Sequence, residues 1–144
     1  MCDRFSAPMF VSARLDVALA LDTHLHLPSW ALNASEVRTR LAPERFLSVA
    51  VHSEEEAARS RGADLALVSP VFATRSKPGA VSLGHEGFAR LASRLGCAAY
   101  ALGGVTPSRI RELPGAAGAA VITAVLHAED PAAAVRAFCA DRIA

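Results

Sequence analysis

The sequence predicts an α/β fold built on a parallel sheet. Three observations lead there. Short apolar runs of strand length alternate with longer segments of helical spacing, about six times over. The runs are nearly continuous in apolar residues, as parallel strands buried on both faces are. The segments between them carry helix-start residues in the right places. Alternating β and α at this spacing gives a parallel sheet, open or closed into a barrel, and places any active site at the C-terminal ends of the strands.

The strands are expected at "MFVS" (9–12), "THLHL" (23–27), "FLSVAV" (46–51), "LALVS" (65–69), "AAYAL" (98–102) and "AAVIT" (119–123). Residues 14–21 and 35–41 have weak helical spacing. "SEEEAARSRG" (53–62) is a stronger helix, with Ser53 and Glu56 as a capping box, acidic residues in the first turn and Gly62 as the stop. "HEGFARLASRLG" (85–96) puts Phe88, Leu91, Ala92 and Leu95 on one face. "TPSRIREL" (106–113) and "DPAAAVRAF" (130–138) each open with a cap, Thr106 or Asp130, followed by proline at the first helical position.

Composition narrows the function. A chain of 144 residues fits one domain, and 52% hydrophobic with 20% charged residues is enough for a core. A formal net charge of +1 gives no basic surface for nucleic acid or acidic membranes. No run approaches the roughly 18 apolar residues of a membrane span, and "MCDRFSAPMF" lacks a signal-peptide core. Cys2, Cys97 and Cys139 fit no metal spacing and read as reduced thiols of a cytoplasmic protein, with Cys97 and Cys139 expected in the core.

Chemistry is expected at four strand ends. After "LALVS" and Pro70 come Thr74, Ser76 and Lys77, two hydroxyls and a point charge that suit a phosphate or pyrophosphate as well as a solvated loop. After "AAYAL", Gly103 and Gly104 let a ligand approach bare backbone just before a helix start. Thr123 and Ala124 close the neighbouring strand, and glycine turns on adjacent last strands make a phosphate site in eight-stranded barrels. His52, after "FLSVAV", is placed either to move protons near neutral pH or to hydrogen-bond locally at the helix start. His24 and His26 point the same way along a strand, but no third metal ligand accompanies them.

"FLSVAVHSEEEAARSRGADLALVSPVFATRSKPG", with "ALGGVTPSRI" and "GAAVITAVLHAEDP", resembles the thiamine phosphate synthase/TenI family. "FVSARLDVALAL" looks like that family's third strand and following helix, so the resemblance covers nearly the whole chain. It implies a (β/α)8 TIM-barrel fold, here an incomplete barrel of about six βα units lacking the first two, in a single domain over residues 1–144. It implies that Gly103, Gly104, Thr123 and Ala124 hold a thiazole phosphate, that Thr74, Ser76 and Lys77 face the second substrate's pyrophosphate, and that His52 is the catalytic acid/base. The synthases carry Asn-Asp where this chain has Ser12-Ala13, a further metal-ligating aspartate where "HLPSWAL" offers Ser29 or Trp30, and a serine where Ala50 stands. The resemblance therefore favours the TenI-like thiazole tautomerase branch, working without a cofactor, with magnesium needed only if synthase activity is retained. A synthase read from a shortened frame and a non-catalytic phosphate-binding remnant stay open as alternatives. An open barrel has two unpaired edges, which imply a homodimer. Nucleic acid and membrane are not expected partners.

Overall fold

The computed structural model describes residues 2–74 and 79–140. Six strands, β1 (Phe10–Ser12), β2 (His24–Leu27), β3 (Leu47–Val51), β4 (Leu65–Val68), β5 (Ala98–Leu102) and β6 (Ala116–Ala120), follow one another in the sheet in chain order. Between and after them run α1 (Leu15–Ala20), α2 (Ala34–Arg38), α3 (Glu54–Ala58), α4 (Gly84–Ala92), α5 (Pro107–Arg111), α6 (Thr123–Leu126) and α7 (Pro131–Cys139). The expected α/β fold with a parallel sheet of six βα units is what is observed. No helix among the described residues is long and apolar enough to cross a membrane.

The chain forms two compact units, one from the residues up to Leu67 with Arg94–Ala98, the other from Val68–Ser93 with the residues from Ala99 on. In the first, parallel pairing sets Phe10 against His24 and Leu25 against Leu47. Leu25, Leu47, Val51 and Ala66 have no exposed surface, and Val37 of α2 packs with them in the core. β2 alternates, with Leu25 and Leu27 buried while His24 and His26 occupy the other face. In the second unit, Ala99 pairs with Ala116 and Tyr100 with Gly118, across a bulge. Its core is Val68, Val71, Phe88, Leu91 and Ala101.

The caps form as the sequence requires. Ser53 Oγ accepts from the Glu56 N–H at 3.2 Å, Thr106 Oγ1 from Arg109 N–H at 3.3 Å, and Asp130 Oδ1 from Ala133 N–H at 2.9 Å. Asn33 precedes α2 but does not cap it, because its side-chain oxygen accepts from Arg59 Nε at 2.9 Å.

Three expectations are corrected. The last strand lies at Ala116–Ala120, three residues before "AAVIT", and Thr123 starts a helix instead of ending a strand. The helix expected over 53–62 stops at Ala58, and Gly62, at φ +94°, ends the following turn. Cys139 is exposed, because α7 packs on α6 and buries none of its own residues. Cys97 is half-buried, and burial pushes its thiol up.

Ala13, just after β1, sits at φ +63°. A Cβ in the left-handed region crowds the following carbonyl and costs about 1–2 kcal/mol. Glycine removes that cost at the expense of some chain entropy. We expect Ala13→Gly to stabilise the protein by about 0.5–1 kcal/mol, read as a higher urea midpoint at unchanged slope. An unchanged or lower midpoint would show that this turn is not strained.

Candidate functional site

The second unit carries a cavity of about 160 Å³ beyond the ends of β5 and β6. Gly103, Gly104, Thr123, Ala124 and Thr74 line it together, with Ile122 at its side. Both glycines need their freedom here. Gly103 has φ +92° and Gly104 has φ +61°. A Cβ on Gly104 would lie 2.4 Å from the Ala73 carbonyl oxygen and 2.9 Å from Phe72 Cβ. The turn is pinned from the β4 side, where the Val71 N–H donates to Leu102 O and the Phe72 N–H to Gly103 O, at 2.9 and 3.0 Å.

Among the described residues, none accepts a backbone hydrogen bond from the amides of Gly104, Val105, Thr123 or Ala124. Unpaired amides need a partner from solvent or from a ligand. Four such donors at the wall of one cavity, with the Thr123 hydroxyl beside them, make a site for a compact group rich in oxygen acceptors.

Ser76 and Lys77 lie outside the described residues. Of the polar loop singled out by sequence, Thr74 is the one described, and it is at the cavity.

His52 belongs to the first unit, directly after β3. Its Nδ1 is 2.9 Å from Glu56 Oε2, and the same oxygen accepts the His52 backbone N–H at 2.6 Å. Glu56 thus reaches back past the cap to hold both main chain and ring. The imidazole is half-buried and fixed in orientation.

His24 and His26 lie in the same unit. The His24 ring lies 5.1 Å from both Phe10 and Phe46, and its Nδ1 accepts the Phe46 N–H at 2.9 Å. His26 Nδ1 is 2.9 Å from Ser48 Oγ, and its strand neighbours in register are Ser12 and Ser48. Burial holds both imidazoles below their usual range, with the Arg45 charge lowering His24 further. The native state therefore binds fewer protons than the unfolded chain near their pKa. Their contribution to stability is fully present above about pH 6.5 and is lost as pH falls below it. We expect the melting temperature to drop between about pH 7 and pH 5, and His26→Asn to flatten part of that drop. A profile identical in the variant would remove His26 from the account.

The model of the thiamine monophosphate synthase family matches residues 1–125. The chain belongs to that family. It is 39% identical over 137 residues to thiamine-phosphate synthase of Roseiflexus sp. (strain RS-1), a match covering 91% of this chain and 58% of that protein. It is 33% identical over 135 residues to thiamine-phosphate synthase of Clostridium perfringens (strain SM101 / Type A), covering 90% and 65%. Among solved structures it is similar to thiamine phosphate pyrophosphorylase from Pyrococcus furiosus, with a TM-score of 0.77, 31% identity, and coverage of 95% of this chain and 68% of that one. The chain thus spans about three-fifths of the length of these curated relatives.

The family resemblance implies a divalent metal near the ends of the first strands. Ser12 ends β1 and is followed by Ala13; Ser29 and Trp30 follow β2, and Trp30 is 77% exposed. One hydroxyl at each strand end is a poor donor set for a hard cation that wants carboxylates. Among the described residues no group of three or more His, Cys, Asp or Glu is placed to hold a metal ion. These residues do not fit magnesium.

Sequence reasoning passed over Phe72 and Arg109. The Arg109 guanidinium carbon lies over the Phe72 ring, 4.7 Å from its centroid, and Nη1 donates to Gly104 O at 2.8 Å. Only "GGVTPSR", with the arginine three residues after its cap, could have pointed to it.

Proposed function

We propose that this chain provides the thiazole-phosphate end of a thiamine phosphate synthase-type site. The cradle carries the reading: a glycine turn with no room for Cβ faces unpaired amides at Thr123 and Ala124 around one cavity. A phosphate ester offers acceptor oxygens to such donors, and the cavity is large enough for the group. The names of the relatives, thiamine-phosphate synthase and thiamine phosphate pyrophosphorylase, support a synthase-type reading over the tautomerase one. A single thiamine phosphate synthase/TenI-like domain over residues 1–144, a partial barrel working as a homodimer, is part of the same proposal.

His52 supports a second reading, metal-independent proton transfer of the tautomerase kind. Glu56 orients its ring through Nδ1, which leaves Nε2 as the nitrogen for exchange with a substrate.

The test is a thermal-melt titration with thiazole phosphate, with and without magnesium, on wild type and Gly104→Asp. A ligand that binds only the folded state raises the melting temperature by mass action. We expect a metal-independent rise in wild type that the variant lacks. No rise at millimolar ligand would overturn the proposal. Loss of tautomerase turnover in His52→Gln with unchanged ligand binding would establish the second reading.

A further inference from the structure

We propose that Arg109 is a positioning residue, which turns the Gly104–Val105 peptide so that its N–H is presented to an anion in the cavity. The inference rests on the cradle reading above and assigns the device that sets the cradle's geometry. Arg109 Nη1 donates to Gly104 O at 2.8 Å. The peptide group is planar and trans, so its carbonyl and the next N–H point in opposite directions. Holding the Gly104 carbonyl toward Arg109 therefore aims the Val105 N–H away from it. That N–H has no acceptor among the described residues, and Val105, 4% exposed, lines the cavity.

Arg109 is itself placed from several sides. Its backbone N–H is bound by the Thr106 cap. Its guanidinium carbon stands over the Phe72 ring, 4.7 Å from the centroid. Phe72 meets His85 edge-on, at 5.2 Å and 70°, and His85 Nε2 stands 3.5 Å from Glu112 Oε2. The Phe72 N–H in turn holds Gly103 O. One aromatic residue thus fixes the first glycine through its main chain and the second through the arginine it carries. Arginine suits this task because its planar fork stacks and donates at once, which lysine does only in part.

The experiment uses the whole chain, labelled with nitrogen-15, as wild type, Arg109→Met and Arg109→Lys. Amide spectra are recorded first without ligand, then with inorganic phosphate as the probe. Without ligand, Arg109→Met is expected to displace the amide signals of Gly104 and Val105 and speed their exchange, at a nearly unchanged melting temperature. With phosphate, its apparent Kd rises about tenfold, the worth of one charge-assisted bond, and Arg109→Lys recovers part of both effects. Unmoved Gly104 and Val105 signals in ligand-free Arg109→Met would overturn the positioning role, even if phosphate affinity fell, because the arginine would then be meeting the anion directly. Wild type that ignores phosphate while Arg109→Met still moves the turn would sink the cradle reading and leave the positioning role standing.

Discussion

Gly104→Ala is expected to destabilise the protein by about 2–4 kcal/mol and to abolish anion binding at the cavity. Two costs add. The residue sits at φ +61°, where a Cβ is strained. That Cβ would also stand 2.4 Å from the Ala73 carbonyl oxygen, which is main chain and has no rotamer by which to retreat. Gly79→Ala separates the two, since Gly79 has φ +80° with no atom of the described residues within 4 Å of an added Cβ. It should lose about 1 kcal/mol from backbone strain alone and leave binding intact. Urea unfolding and a phosphate titration on both variants read the difference. Equal losses in the two would show that the turn yields and that crowding at Gly104 is not the constraint.

Arg38→Met is the second large effect, in the first unit. The guanidinium donates to the carbonyls of Leu41, Ala42 and Arg45 at 3.2, 2.7 and 3.0 Å, and to Asp64 Oδ2 at 3.1 Å. That oxygen also accepts the Leu47 N–H at 2.7 Å, at the start of β3. One side chain thus ties the end of α2 to the entrance of two strands. Methionine keeps the stem and deletes every donor. We expect a loss of about 2–3 kcal/mol, mostly from the stranded carbonyls, because the ion pair is partly exposed and screened. Asp64→Asn should lose less, since its amide oxygen can still accept from Leu47. The reverse ranking in denaturant melts would place the stability in the charge pair instead.

The strands were legible because most are built of β-branched and large apolar residues in short runs. β6 was misplaced because Ala116–Ala120 reads "AAGAA", with nothing branched to mark it, while "VIT" just beyond carries the stronger β signal without the sheet partner. Tertiary pairing overrode propensity there. The caps at Ser53, Thr106 and Asp130 were legible because they are local: donor and acceptor lie three residues apart. The glycine turn was legible for the same reason. Its brace was not, since Phe72, His85 and Arg109 come from separate segments and meet only when folded. Glu56 shows an intermediate case. The spacing from Ser53 announced a capping box, but the carboxylate reaches one residue further back and takes hold of His52, a contact that spacing alone does not distinguish.

The cradle's donors are main-chain amides and a hydroxyl, and none of the described residues that line the cavity has an ionisable side chain. Such a wall neither gains nor loses a proton across the physiological range. The described lining adds no titration of its own to anion capture there, whereas the guest's second phosphate ionisation falls near pH 6. As far as the described lining is concerned, the occupancy curve of the cavity against pH would therefore be a titration of the ligand.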